Sequence, residues 1–309
     1  MAEVLAAKEV IVIAEKAIKA GTNAIDLYNK MVDQVIPWKL LRVTKIISDL
    51  KANKEQYSTD AAAIVEEVQT LLMNSKDSYA SSTGTVYRYC QKAVQPLQRF
   101  NALFENMSDP LAGSLAAAAQ LILFKEFLKQ VHLAMDTAIK ELEKSNESFN
   151  KAAGRITTLD ARLKLDFAKG STYYDNAVAK LRTEAYAGAA LGTVGGPIDL
   201  ANAYAIAAGI VEGELIPNLE KAFDETKALV KYIETMCTDA QADITQAKDN
   251  VSDEVKVIGT IIAQIKWGDK EAKAWSVVPS TMFDMLKDSI NKLIAMCESY
   301  VKSKDDKNA

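Results

Sequence analysis

The sequence predicts an all-α fold, an elongated bundle of long helices (a rod) that carries one small apolar β-hairpin. Its 309 residues include 46 alanines but only 13 glycines and 6 prolines, a composition rich in helix formers and poor in turns. No proline interrupts the intervals 38–95, 111–196 and 218–278, so each can hold long helices. A single glycine-rich segment, 185–216, breaks this helical pattern.

The first 36 residues have the most regular pattern in the chain. Two apolar strips repeat every seven residues; they are Val4, Ile11, Ile18, Ile25 and Val32, and, three places later, Ala7, Ala14, Gly21, Tyr28 and Val35. Together they predict an amphipathic N-terminal helix, 1–36, with a five-heptad seam that packs against long neighbouring helices. Such a stripe is ordinarily core.

Three prolines mark the starts of later helices. Asp109 precedes Pro110, Pro217 opens a second helix, and Pro279 precedes a third. This third helix has one apolar stripe, formed by Phe283, Leu286, Ile290, Leu293, Cys297 and Tyr300. We expect 217–302 to form the C-terminal helices of the tail bundle, and 1–309 to form a single elongated domain.

The segment 185–216 holds six of the thirteen glycines, and Asp199 is the only charged residue between Glu184 and Glu212. A Gly-Gly-Pro turn at 195–197 divides two apolar arms, 186–194 and 203–211, which predicts an apolar β-hairpin. In lipid, its small residues would let two helices approach closely, so each arm is expected to be strand in water and helix in a membrane. A buried hairpin that plugs one end of the bundle is the alternative.

Composition argues against several functional classes. Lysine plus arginine (37) nearly balances aspartate plus glutamate (41), which gives no basic surface for nucleic acid. His132 is the only histidine, and no phosphate-binding or dinucleotide-binding motif occurs, so we expect no enzyme activity, no small-molecule substrate and no cofactor. The three cysteines have no zinc-binding spacing, so we expect no metal. Glu3, Lys8 and Glu9 argue against a cleaved secretion signal.

Several stretches resemble the cytolysin A (haemolysin E) family of bacterial α-pore-forming toxins, over roughly residues 3–302. They are 25–30 (IDLYNK), 33–38 (DQVIPW), 70–73 (TLLM), 85–87 (TVY) with Cys90, 184–190 (EAYAGAA), 206–213 (IAAGIVEG), 215–217 (LIP) and 297–300 (CESY). The run through the glycine-rich hairpin is specific, and its order relative to the Ile-Pro-Trp segment also agrees with the family.

The resemblance implies a pore-forming cytolysin, released as a soluble monomer without a cleaved signal and in outer-membrane vesicles. Its partners are a target-cell lipid membrane, with sterol as one candidate component, and further copies of itself in a ring-shaped homo-oligomer. The tongue in segment 185–216 docks first and refolds to helix, through Tyr186, Ala187, Gly188, Leu191, Val194, Pro197, Ile198, Leu200, Tyr204, Ile206, Ile210 and Val211. The N-terminal helix then lines the pore, through Val4, Lys8, Glu9, Ile11, Glu15, Lys16, Ile18 and Ile25.

By the same resemblance, Cys90 and Cys297 lie on neighbouring helices and can form a disulfide after export, whereas Cys237 stands apart. One departure from the family is Asp199 at the tongue tip, where a charge opposes insertion. Two alternatives remain open from the sequence: a subunit of a multi-component α-pore-forming toxin, and a structural coiled-coil scaffold without pore activity.

Overall fold

The computed structural model describes residues 2–33, 36–52, 57–103, 110–191, 197–264 and 280–308. Within these ranges the chain forms eight α-helices and no strand. They are α1 (Ala2–Leu27), α2 (Ile36–Ala52), α3 (Thr59–Leu103), α4 (Pro110–Asp166), α5 (Thr172–Leu191), α6 (Pro197–Ile210), α7 (Ile216–Gln264) and α8 (Ser280–Asn308). Two π-helical segments, Tyr28–Asp33 and Val211–Leu215, follow α1 and α6. The prediction of an all-α bundle of long helices is confirmed.

The chain is organised as two compact units. Unit 1 contains Met1–Leu40, Asn74–Glu147 and Ala240–Ala309, and unit 2 contains Leu41–Met73 and Ser148–Asp239. Helices α2, α3, α4 and α7 contribute residues to both units.

In unit 1, α1 packs against α8, and the predicted heptad seam of α1 is buried where it is described. Ile11, Ile18 and Ile25 are at most 1% exposed, and the second strip is buried at Ala14, Gly21 and Tyr28. The seam is therefore core at these positions, as predicted; the side chains of Val4, Ala7, Val32 and Val35 lie outside the description. The predicted stripe on α8 is also buried, from Phe283 to Tyr300.

Buried hydroxyl groups join α3 to α4 and to the π-helical segment after α1 within unit 1. The hydroxyls of Ser75 and Ser145 each donate to the backbone carbonyl of the other residue, at 2.9 and 2.8 Å. One heptad further along α3, Ser82 donates to the carbonyl of Ala138 at 2.5 Å and also contacts the hydroxyl of Tyr28. These groups are buried, and the hydrogen bonds offset the cost of removing them from water.

In unit 2, a short turn joins α4 to α5. Gly170 adopts a φ of +84°, which favours glycine. The next residue, Ser171, caps α5 by accepting a 3.0 Å hydrogen bond from the backbone N–H of Tyr174. Beside this turn, the rings of Phe167 and Phe223 stack with their centroids 3.9 Å apart. The turn is therefore fixed by a cap and by aromatic packing.

The prediction that the two arms of 185–216 form strands is wrong over the described residues, because both arms are helical there. The first arm is the end of α5, the second is α6 with the π-helical segment, and 192–196 lies outside the described residues. Alanine, the strongest helix former, occupies four places between 185 and 190 and four between 203 and 208. A helix also satisfies its own backbone hydrogen bonds, whereas an isolated two-stranded hairpin leaves both edges unpaired.

Candidate functional site

Helices α5 and α6 pack side by side in unit 2; they are called the α5–α6 pair below. The rings of Tyr186 and Tyr204 meet edge to face across the pair, with centroids 5.7 Å apart at an interplanar angle of 86°. Nearer its base, Arg182 of α5 forms a 2.5 Å ion pair with Glu212, and this carboxylate raises the pKa of the Arg182 guanidinium. One aromatic contact and one ion pair therefore tie the two arms together.

Most of the predicted docking residues whose side chains are described are exposed. Leu191 is 88% exposed and Ile206 65%; Ala187, Gly188, Tyr204 and Ile210 are also exposed, and Tyr186 is half-buried. Val211 is fully buried, so it supports the pair rather than forming its surface. Pro197, Ile198 and Leu200 lie in α6 with side chains outside the description, and Val194 lies outside the described residues.

Helix α6 is unusual because apolar residues surround it. Asp199 is its only charged residue, and almost all of the remaining residues of Pro197–Ile210 are apolar. A helix that is apolar all round is normally buried in a protein or a membrane, yet Tyr204, Ile206 and Ile210 are exposed here. Contiguous exposed apolar surface of this kind marks a site of contact with another molecule or a membrane.

A shallow crevice runs along the α5–α6 pair. Its volume is about 470 Å³, and its lining consists of Ala185, Ala189, Ala203, Ile206, Ala207, Ile210 and Leu215. A Cβ added at Gly188, Gly209 or Gly213 would meet no other atom within 4 Å. The glycines therefore serve no close helix packing in this structure, and the apolar surface beside them is free to meet a partner.

At the start of α5, away from the apolar surface of the pair, charged and aromatic side chains form a polar cluster. Glu220 accepts hydrogen bonds from Lys169 at 2.7 Å and from the Tyr174 hydroxyl at 2.5 Å. Lys169, and then Tyr174, lower the pKa of the Glu220 carboxyl, so it is held as a carboxylate. Ionic contacts thus begin where the apolar surface of the α5–α6 pair ends.

Helix α1 has the two faces that the sequence predicts. Ile11, Ile18 and Ile25 are buried, whereas Glu9 and Lys16 are exposed. Glu15 is half-buried and forms a 2.7 Å ion pair with Lys19. Val4 and Lys8 are helical, with side chains outside the description.

Two polar contacts hold the end of α1 and the π-helical segment that follows it, and sequence reasoning did not identify them. Nδ2 of Asn23 donates to Oε1 of Glu254 at 3.2 Å, and Tyr28 meets the hydroxyl of Ser82. The signal that could have revealed the second contact is a hydroxyl-bearing residue, Tyr28, on an otherwise apolar seam.

The structure brings Cys90 and Cys297 together. Both thiols are free and fully buried, and their side chains are within hydrogen-bonding contact. This contact, together with burial, raises the pKa of the Cys90 thiol well above its ordinary value. The disulfide between them stays a prediction. Cys237 is buried apart from this pair.

Across the described ranges, none of the helices combines the length and the apolar composition needed to span a membrane.

Comparison with known proteins is consistent over the whole chain. The family model Haemolysin E (HlyE) matches residues 4–305. Hemolysin E of Escherichia coli O157:H7 is 37% identical over 302 residues, which cover 98% of this chain and 96% of that protein. Hemolysin E of Salmonella typhi is 34% identical over 294 residues, which cover 95% and 93%.

A solved structure, soluble SmhA of the tripartite alpha-pore forming toxin Smh from Serratia marcescens, aligns over 96% of this chain and 95% of that chain. Its TM-score is 0.31 at 11% identity, which is too low to be evidence of a shared fold. The sequence relatives and the full-length family match confirm the resemblance, and the chain belongs to the haemolysin E family.

Proposed function

We propose that this chain is a pore-forming cytolysin that docks on a target membrane through the α5–α6 pair. The observation that carries this proposal is an apolar helix, α6, with Tyr204, Ile206 and Ile210 exposed to water. Each square ångström of apolar surface transferred from water gains roughly 25 cal/mol. Contact with lipid would therefore remove from water an apolar surface that stays exposed in the folded chain.

In this proposal a different helix, α1, perforates the membrane after docking. In a ring of identical copies, α1 leaves its place in unit 1 and lines the pore. It has 26 residues, and at ~1.5 Å per residue its length of about 39 Å exceeds the ~30 Å hydrocarbon core. Its buried seam would face lipid or neighbouring copies, while Glu9 and Lys16 would face water. The protein would act after secretion, at the membrane of the target cell.

Replacing Ile206 by aspartate tests the docking step. Because Ile206 is 65% exposed, Ile206→Asp should leave helicity and thermal stability nearly unchanged. A charge within the bilayer costs at least ~2.5–3.5 kcal/mol, so liposome binding should weaken by about 100-fold. Co-sedimentation with liposomes, with and without sterol, gives the affinity, and circular dichroism gives the stability.

Leu133→Asp is the matched control. Leu133 is an apolar residue of α4 in unit 1 with 66% exposure, close to that of Ile206, and it lies outside the α5–α6 pair. The control should bind liposomes as the unmodified protein does. An equal loss of binding in both variants would contradict docking by the pair, and a loss of folding in Ile206→Asp would favour a plug that belongs to the core.

A further inference from the structure

An apolar cavity of about 120 Å³ lies within unit 1, separate from the α5–α6 pair. Four helices supply its described lining: α1, α3, α4 and α8. The main walls are Ile18, Leu97, Phe100, Phe124, Phe127 and Ile290. Because Ile18 is 1% exposed and is the only α1 residue in the described lining, α1 closes one side of the cavity.

The chemistry of the lining favours an apolar occupant over water. The charged and amide side chains among the described lining residues are Glu126 and Gln130, and both are exposed. Together with Leu123, which is 49% exposed, they open the cavity to solvent on the α4 side, whereas its inner walls offer a water none of the two to four polar partners that it needs. The rings of Phe100 and Phe124, which both line the cavity, stack with centroids 6.0 Å apart.

The volume limits the occupant to about one ring. An apolar cavity of ~150 Å³ lined by leucine, isoleucine and phenylalanine stays dry and binds benzene or xenon. At about 120 Å³, this cavity is of similar size and has a similar lining. Ala93, which is 7% exposed, leaves the space that a longer side chain on α3 would fill.

We propose that this cavity binds a small apolar molecule with a single ring, and that its occupant keeps α1 in the bundle. The occupant contacts the walls from all four helices, and those contacts exist only while Ile18 closes the cavity. A ligand that binds one state and not the other shifts the equilibrium toward the first. The consequence for pore formation rests on the proposed function, in which α1 leaves unit 1.

Thermal unfolding of the full-length protein with benzene tests the binding without any membrane. At ten times the dissociation constant, benzene should raise the melting temperature by about 2 °C. Ala93→Leu fills the cavity and should abolish this shift. The control Ala80→Leu makes the same change at an exposed position of α3, 13 residues or about 20 Å away, and should keep the shift. No shift in the unmodified protein, or an equal shift in Ala93→Leu, would overturn the site.

Xenon NMR on the unmodified protein removes the dependence on a variant that folds. Bound xenon should give a shifted resonance that benzene displaces; the absence of that resonance, or its persistence in saturating benzene, would overturn the cavity as the site.

Hydrogen exchange then tests the effect on α1 in water. Benzene should slow exchange of the α1 amides in the unmodified protein and leave Ala93→Leu unchanged. Dye release from liposomes should be slowed in the same pattern. Slower α1 exchange in a protein that releases no dye even without benzene would support the site and reject the proposed function. Benzene binding that leaves the hydrogen exchange of the α1 amides unchanged would overturn the proposal that the occupant keeps α1 in the bundle.

Discussion

Two glycines, Gly259 in unit 1 and Gly154 in unit 2, differ in what an added side chain would meet. A Cβ built on Gly259 of α7 would lie 2.8 Å from Nε2 of His132 on α4, closer than real Cβ contacts. A Cβ at Gly154 of α4 would meet nothing within 4 Å. A side chain at the first position therefore requires the His132 imidazole to move, whereas at the second position glycine only weakens the helix.

Alanine substitution at these two glycines should have different effects on stability. Gly154→Ala should raise the free energy of unfolding by about 1 kcal/mol, since alanine is the better helix former. Gly259→Ala should show no such gain, because the imidazole of His132 has to move. In a His132→Ala background the gain at position 259 should return. Urea unfolding measures all four variants, and a full gain from Gly259→Ala alone would contradict the contact.

Cys237 is the second residue with an effect that can be measured alone. Burial, and then the charge of Glu234, raises the pKa of its thiol to about 12. An unfolded thiol titrates near ~8.5, so the native state retains this proton to higher pH than the unfolded state. The stability from the neutral thiol is thus complete below pH ~8.5 and is lost progressively as pH rises toward 12.

Cys237→Ala should remove this alkaline sensitivity. Between pH ~8.5 and ~10, the unmodified protein should lose about 2 kcal/mol more unfolding free energy than the variant, at ~1.4 kcal/mol per pH unit. Urea unfolding at both pH values measures the difference, and any packing defect in the variant cancels between them. Equal losses in the two proteins would mean that the thiol titrates normally.

At the scale of helices, the sequence identified the position of the α5–α6 pair but not its secondary structure. The glycines and the Gly-Gly-Pro turn indicated a reversal near 195–197, whereas the alanines that flank Tyr186 and Tyr204 favour helix. The helix-forming alanines of these arms outweigh their glycines. In contrast, the heptads of α1 were decisive, because a seven-residue apolar repeat is specific to packed helices.

Deleting residues 2–20 separates docking from perforation. This change removes most of α1 but leaves unit 2 and the α5–α6 pair complete. The truncated protein should bind liposomes with near-normal affinity and release no trapped dye. Co-sedimentation and fluorescence dequenching measure the two steps in one preparation. Full dye release by the truncated protein would contradict the assignment of α1 to the pore.

At the scale of the whole molecule, the composition predicts the helical class, but it does not predict which residues contact one another between helices. Which polar residues pair across helices depends on relative register, and a heptad stripe repeats without marking one heptad from the next. The partners Ser145 and Ser75, and the thiols Cys90 and Cys297, are separated by 70 and 207 positions in the chain. The resemblance to a family supplied the second pairing, and nothing in the local sequence supplied the first.

Assembly of identical copies predicts how activity depends on concentration. The unmodified protein alone should release dye from liposomes, and the initial rate should rise more steeply than the first power of protein concentration, because several copies must meet. Stopped-flow dequenching over a tenfold concentration range measures this order, with and without sterol. Binding without release would indicate a missing partner subunit, and first-order release would contradict rate-limiting assembly.

The two buried serines of α3 that bond to α4 have a consequence for the uniqueness of the fold. Ser82 follows Ser75 by one heptad, just as Ala138 precedes Ser145 by one heptad. If α3 slid along α4 by seven residues, the apolar stripes would still match. Ser75 and Ser145, however, would then be seven residues out of step, and their two reciprocal hydrogen bonds, worth about 1 kcal/mol each, would be lost. The buried hydroxyl groups thus specify one register of α3 against α4, which apolar stripes of equal spacing cannot do.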